Sequence, residues 1–244
     1  MKHFDIISIF PNSLDSYFGT SILKRAQDKK LIKIQSHDLR KWTRDKHHKT
    51  DDKLYGGGAG MVMLAEPILR ALSTFKALNK ESRIKNKGKD ARGLKFQIRN
   101  SKFKIRTILL AANGKQFKQK DAERLVKYDR LVFVCGRYEG VDARVEKFID
   151  EKISVGPYVV TGGELPAAII IDAVSRLIPG VVGKQESVAN ESHTAEGYLE
   201  HNHYTRPEVL VWKGKKYRVP KVLLEGHHKN IASWRAKTSK KPRA

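Results

Sequence analysis

The segment "CGRYEGVD" (135–142) holds an arginine, a tyrosine and a glutamate between two glycines, directly after the apolar run "RLVFV" (130–134). A plain turn needs one or two flexible residues, so a stretch of this composition suits the holding of a ligand. Glycine-rich or turn-forming segments end three other apolar runs: "AANG" (111–114), "SVGPY" (154–158) and "VVTGGELP" (159–166). Few titratable groups accompany them, chiefly Glu139, Glu164, Asp172 and Arg176. Asp172 and Arg176 stand four apart on a helical pattern, and by spacing alone an intrahelical ion pair is the simpler reading. Glycine loops with several exposed main-chain groups and no evident nucleophile fit a site that binds an activated cofactor and supplies position and electrostatics.

Other chemistries fail on their own signatures. "GGGAGM" (56–61) lacks the Gly-Lys-Ser/Thr that a phosphate-binding P-loop requires, and no Gly-x-Gly-x-x-Gly stands at a strand–helix junction. The histidines lack paired helical spacing with a carboxylate, so a catalytic metal is not indicated. Cys135 is the one cysteine, which excludes an internal disulfide framework and a cysteine-based zinc site. No Gly-x-Ser-x-Gly occurs.

The elements that must position these groups read as an α/β domain. Strands are expected over "FDIISIF" (4–10), "LIKIQSHDL" (31–39), "TILLA" (107–111), "RLVFVC" (130–135), "KISVG" (152–156) and "YVV" (158–160). Helices are expected over 11–29, 65–78, 118–127, 142–149 and 164–178, with 40–61 a long polar loop. Such alternation implies a largely parallel sheet, whose ligands sit beyond the C-terminal strand ends. The chain carries 49 basic and 26 acidic side chains, a net charge of +23, which points to a polyanionic partner, nucleic acid first. Residues 80–106 are densest in Lys and Arg, and composition favours a solvated insertion over a phosphate-binding arm. The apolar start is too short for a signal peptide, and "LPAAIIIDAVSRLI" (165–178) carries Asp172 and Arg176 and cannot span a bilayer. A soluble cytoplasmic protein with no membrane contact is expected. From 179 onward element signals stop until a helix near Lys229.

Taken together, "YGGGAGM", "CGRYEGVD", "SVGPYVVTGGELPA", "DAVSRLIPGVVG" and "HYTRPEV", in this order, resemble the bacterial tRNA (guanine-N1)-methyltransferases, the TrmD family of the SPOUT superfamily. The likeness runs nearly end to end, and five such motifs together are highly specific. It implies a parallel sheet with a deep trefoil knot and a small, mostly helical C-terminal domain. Residues 1–182 would form the knotted domain, 183–196 a flexible linker and 197–244 the tRNA-binding domain.

The resemblance also implies roles. S-adenosylmethionine is the expected cofactor, with Mg2+ a candidate ion and no protein metal site. Its pocket would comprise Leu109, Leu110, Ala111, Ala112, Gly136, Tyr138, Glu139, Gly140, Val155, Gly156, Tyr158, Val160, Gly162, Gly163 and Pro166. Tyr55, Gly57, Gly58, Arg176, Glu200, His203 and Arg206 would meet the tRNA. Methyl transfer to N1 of the guanine 3′ of the anticodon would use Glu191 as base, Arg176 to polarise O6, and Glu139 near the reacting groups. Glu191 stands where the family has Asp, "AANG" replaces Ser-Pro-Gln-Gly, and Ala59 replaces a proline. A homodimer is implied. The alternatives are a SPOUT enzyme for another RNA base and an RNA-binding relative without activity.

Overall fold

Apolar residues at period two place side chains on both faces of a central sheet. In β1 (Lys2–Ser8), Phe4 and Ile6 enter one core while Ile7 enters the other. The same split divides Ile108 and Leu110 from Leu109, and Leu131 and Phe133 from Val132 and Val134. Strands buried on both faces are the mark of parallel sheets covered by helices. The computed structural model describes residues 1–75, 103–183, 191–195 and 197–239. These fall into two compact units, Met1–Gly183 and Lys184–Ala244.

In the first unit β1 is followed by α1 (Asp15–Phe18), α2 (Ser21–Asp28) and β2 (Ile32–Asp38). A small antiparallel pair, β3 (Asp51–Lys53) and β4 (Met61–Met63), precedes α3 (Ala65–Thr74). Then come β5 (Ile105–Gln116), α4 (Gln119–Leu125), β6 (Arg130–Cys135), β7 (Glu151–Ser154) and α5 (Glu164–Ser175). The sheet order is β2-β1-β6-β5-β7, and every pair is parallel. α2, α4 and α5 contribute to the core on one face, α3 and short 3-10 turns to the core on the other.

Several local expectations change. The helix expected over 11–29 is two helices, parted at Gly19 and Thr20. Residues 142–149 form a 3-10 helix, Ala143–Phe148, whose entry is capped by the Asp142 carboxylate accepting from the Arg144 N–H. Residues 158–160 form no strand: Tyr158 and Val159 are exposed and lack a pairing partner in the sheet. The 40–61 loop contains β3 and the first residue of β4. Of the basic segment 80–106, residues 80–102 lie outside the described residues, and Ile105 already begins β5.

The second unit holds β8 (Val209–Trp212), β9 (Lys215–Arg218) and α6 (His228–Thr238). The expected helix is there, but an antiparallel hairpin accompanies it, so the described part of this unit is less helical than the sequence reading.

Candidate cofactor pocket

The parallel strands β5, β6 and β7 deliver three loops to one edge of the sheet, and the loops enclose a cavity of about 370 Å3. That volume is within the range for sites of small organic ligands. The first loop arises because β5 does not run straight. Both Leu110 and Lys115 pair with Ile153, so residues 111–114 are pushed out of register, and Ala111, Ala112 and Asn113 line the cavity. The second loop follows Cys135, with Tyr138 at φ 57° and Gly140 at φ 113°, and the Gly140 N–H donates to the Arg137 carbonyl at 3.0 Å. The third runs from Ser154 to Gly163. A Cβ on Gly163 would lie 2.6 Å from Cys135 Cα, so only glycine lets the second and third loops touch. Their contact is sealed by the Gly163 N–H donating to the Gly136 carbonyl at 2.9 Å.

A buried carboxylate braces these loops. Glu164, in the first turn of α5, accepts from Ser8 Oγ at 2.5 Å and from Arg137 Nε at 3.0 Å. The Arg137 guanidinium also lies over the Phe10 ring, 4.6 Å from its centre, and the Phe10 N–H donates to Ser8 Oγ at 2.8 Å. Four residues from three elements thus close a ring behind the pocket. Burial pushes the Cys135 thiol well above its ordinary range, and the nearby Glu164 charge adds to this, so the thiol stays neutral.

Fourteen of the fifteen residues expected at the cofactor line the cavity: Leu109, Leu110, Ala111, Ala112, Gly136, Tyr138, Glu139, Gly140, Val155, Tyr158, Val160, Gly162, Gly163 and Pro166. Gly156 does not. It packs beneath the Tyr158 ring, where a Cβ would come within 2.2 Å of the ring edge. Glu139 also touches the glycine loop of β3–β4: its N–H donates to the Met61 carbonyl at 3.1 Å, and Gly60 lies against its side chain. Tyr55 in that loop is fully exposed, and Gly57 and Gly58 have φ of 79° and 112°.

Arg176 is not brought to the pocket. It caps the far end of α5, whose 12 residues separate it from the Gly163 end by about 18 Å. Asp172, one turn earlier, accepts a hydrogen bond from Tyr17, which raises the Tyr17 hydroxyl to about 12. Glu191, Glu200, His203 and Arg206 belong to the second unit. There the Glu191 carbonyl accepts from Thr194 Oγ1 at 2.8 Å, and Glu200 Oε2 contacts His203 Nε2 at 3.1 Å. Arg206 precedes a cis bond to Pro207.

The profile of the family described as tRNA (Guanine-1)-methyltransferase TrmD matches residues 1–243. The chain belongs to this family. A tRNA (guanine-N(1)-)-methyltransferase of Shouchella clausii is 43% identical over 235 residues, covering 96% of this chain and 85% of that protein. One from Dictyoglomus turgidum is 44% identical, covering 99% and 86%, and one from Clostridium novyi is 45% identical, covering 95% and 83%.

In this family member the pocket also takes in Glu146 and Ile153, which lie outside the glycine-bearing segments. Glu146 was hidden because a 3-10 turn, not an α-helix, aims it at the cavity, where it also pairs with Lys152 at 2.8 Å. Among the described residues no group of three His, Cys, Asp or Glu side chains is arranged to hold a metal ion, and no helix is long and apolar enough to cross a membrane.

Proposed function

We propose that the chain transfers a methyl group from S-adenosylmethionine to N1 of the guanine immediately 3′ of the anticodon in tRNA. The observation that supports this best is the glycine-walled cavity at the C-terminal strand edge, in a chain whose family match spans residues 1–243. The cavity fits the cofactor: close-packed glycines bring the main chain to the wall, within reach of adenine and ribose, and Glu139 stands in the wall to face a cationic centre. When bound, S-adenosylmethionine supplies an electrophilic methyl on a sulfonium.

The chain's own groups do the rest in this reading. Neutral guanine carries a proton on N1, and the Glu191 carboxylate takes it as a general base. Arg176 donates to O6 and stabilises the negative charge that develops there. Glu139 helps orient the base against the pocket. Tyr55, Gly57, Gly58, Glu200, His203 and Arg206 position the RNA. Residues 183–196 serve as the linker and 197–244 as the tRNA-binding domain, with the three loops tied as the family's trefoil knot.

A homodimer belongs to the same reading. Leu165 and Ile169 are 54% and 41% exposed and fall on one outer stripe of α5 with Asp172 and Arg176. A second copy covering that stripe would bury the apolar residues and engage an arginine that its own pocket does not reach. A cytoplasmic location follows from the substrate. The deciding experiment incubates the full chain with S-adenosylmethionine and an unmodified tRNA carrying guanine 3′ of its anticodon, with and without Mg2+, and analyses nucleosides by mass spectrometry. Appearance of 1-methylguanosine at that position supports the proposal; its absence, or methylation of another base, overturns it.

A further inference from the structure

We propose that the β8–β9 hairpin is a stacking platform for unpaired RNA bases, adding a contact to the tRNA substrate read above, on which this inference rests. The hairpin is built from four cross-strand pairs, Val209 with Arg218, Leu210 with Tyr217, Val211 with Lys216, and Trp212 with Lys215. Lys213 and Gly214 turn the chain with φ of 48° and 75°, the positive values a two-residue type I′ turn requires. Directly paired residues share a face, and so do residues two apart. One face therefore carries Leu210, Trp212, Lys215 and Tyr217.

That face is open. Leu210, Trp212 and Tyr217 are 52%, 62% and 53% exposed, and every other hairpin residue except Val209 is exposed as well. An apolar hairpin normally hides one face against a core, so two bare aromatic rings call for a partner. Charge identifies its class. Residues 209–224 contain Lys213, Lys215, Lys216, Arg218 and Lys221 and no carboxylate. A second copy of this hairpin would repel it, and protein interfaces are depleted in lysine. A strand of RNA meets both demands: its phosphates pair with the cations, and its unpaired bases offer π faces to Trp212 and Tyr217. Duplex RNA keeps its base faces stacked inside, so the occupant is a loop or single-stranded segment.

The test compares wild type, Trp212→Ala/Tyr217→Ala, Lys215→Gln/Lys216→Gln and Trp212→Phe, all as full chains. Probes are a 12-nucleotide oligouridylate and unmodified tRNA, with S-adenosylmethionine affinity and thermal melting as controls for folding. Loss of both rings should weaken oligouridylate binding by about 10-fold or more, without changing the salt dependence of binding or cofactor affinity. Loss of both lysines should instead reduce the slope of log affinity against log salt by about 1.4. Trp212→Phe should keep most of the affinity but lose the quenching of tryptophan emission on RNA addition. The proposal is overturned if wild type does not bind oligouridylate, or if Trp212→Ala/Tyr217→Ala binds it as wild type does. It is also overturned if that variant instead turns a dimer into a monomer in sedimentation, which would assign the face to a second copy. A wild-type chain that binds RNA with these differences but forms no 1-methylguanosine would support the platform and refute the methyltransferase reading.

Discussion

Replacing Glu164 by Gln asks whether one buried carboxylate holds the cofactor loops together. The Glu164 side chain is 5% exposed and joins Ser8 on β1 to Arg137 in the second loop. Gln keeps the volume, and its amide can still serve Ser8 and Arg137, but without charge. A hydrogen bond to a charged group contributes about 1.5–3 kcal/mol against about 0.5–1.5 for a neutral one, so the Ser8 bond, whose acceptor turns neutral, should lose about 1–1.5 kcal/mol, while Arg137 keeps a hydrogen bond but loses its counter-charge. Glu164 also lies in the first turn of α5, where a negative charge adds about 0.3–1 kcal/mol. The sum is about 2 kcal/mol, or roughly 4–8 °C in Tm for a chain of this size.

Ala at the same position removes both acceptors and leaves Arg137, whose side chain is 23% exposed, without its partner; about 3–5 kcal/mol is expected. The functional consequence lies in the loops. If the brace sets the fraction of molecules whose loops are ready for ligand, apparent S-adenosylmethionine affinity falls with that fraction, and about 10-fold weakening is expected for Glu164→Gln. Thermal melts and titration calorimetry measure both effects, and a double-mutant cycle with Arg137→Ala should give a coupling of at least about 1 kcal/mol. A variant that melts within about 1 °C of wild type and binds the cofactor equally well would refute the brace. So would strict additivity in the cycle.

Gly163→Ala should weaken S-adenosylmethionine binding by about 10-fold or more in calorimetry, because the new Cβ would lie 2.6 Å from Cys135 Cα and part the loops. Burial pushes the Glu151 carboxyl up, but hydrogen bonds from Arg124 and Arg106 outweigh it and hold the group below its ordinary value. The folded state thus gives up stability as pH falls through the Glu151 titration, and Tm measured from pH 7 to pH 3 should drop less steeply in Glu151→Gln than in wild type. Arg176→Ala should leave cofactor affinity nearly intact and slow single-turnover methyl transfer by about 100-fold. Glu191→Gln should lose a similar factor, with partial rescue at higher pH that Arg176→Ala does not share; wild-type rates for Glu191→Gln at every pH would place the base elsewhere, with Glu139 next to test.

The parallel sheet and the glycine-bearing loops at its edge were legible because their signals are local. Buried strands read as apolar runs, and each loop carries its glycines within a few residues of the strand it ends. Elements whose determinants are short or distant were not. β3 is three polar residues, Asp51–Lys53, whose strand form is expressed in pairing to β4, so no periodicity could announce it. Arg137 and Glu164 lie 27 residues apart, and nothing in either segment marks them as partners. The 3-10 turn over Ala143–Phe148 carries helical spacing and is capped by Asp142 as an α-helix would be, so the sequence pattern does not tell the two apart. The β8–β9 hairpin is the instructive omission. "VLVW" and "KKYR" flank a Lys-Gly turn, a pattern readable as a hairpin, yet the density of lysine makes it resemble a solvated tail.

The geometry of α5 joins these threads. Its N-terminal end supplies Glu164 and Pro166 to the pocket and its brace, while its C-terminal end presents Arg176 about 18 Å away. A rigid helix cannot bring both ends to one reacting guanine within a single chain. Leu165 and Ile169 are exposed between them, and in the proposed dimer they would be the apolar stripe on which the second copy docks. If two copies pack there with their α5 helices antiparallel, each Arg176 is carried toward the partner's pocket end. The distance that separates Arg176 from its own cofactor loops then becomes the distance that delivers it to the other set. A monomeric variant, such as Leu165→Glu/Ile169→Glu, should therefore keep S-adenosylmethionine affinity, since the glycine loops are complete in one chain, and lose methyl transfer. A monomer that retained both would mean that Arg176 has no part in the reaction.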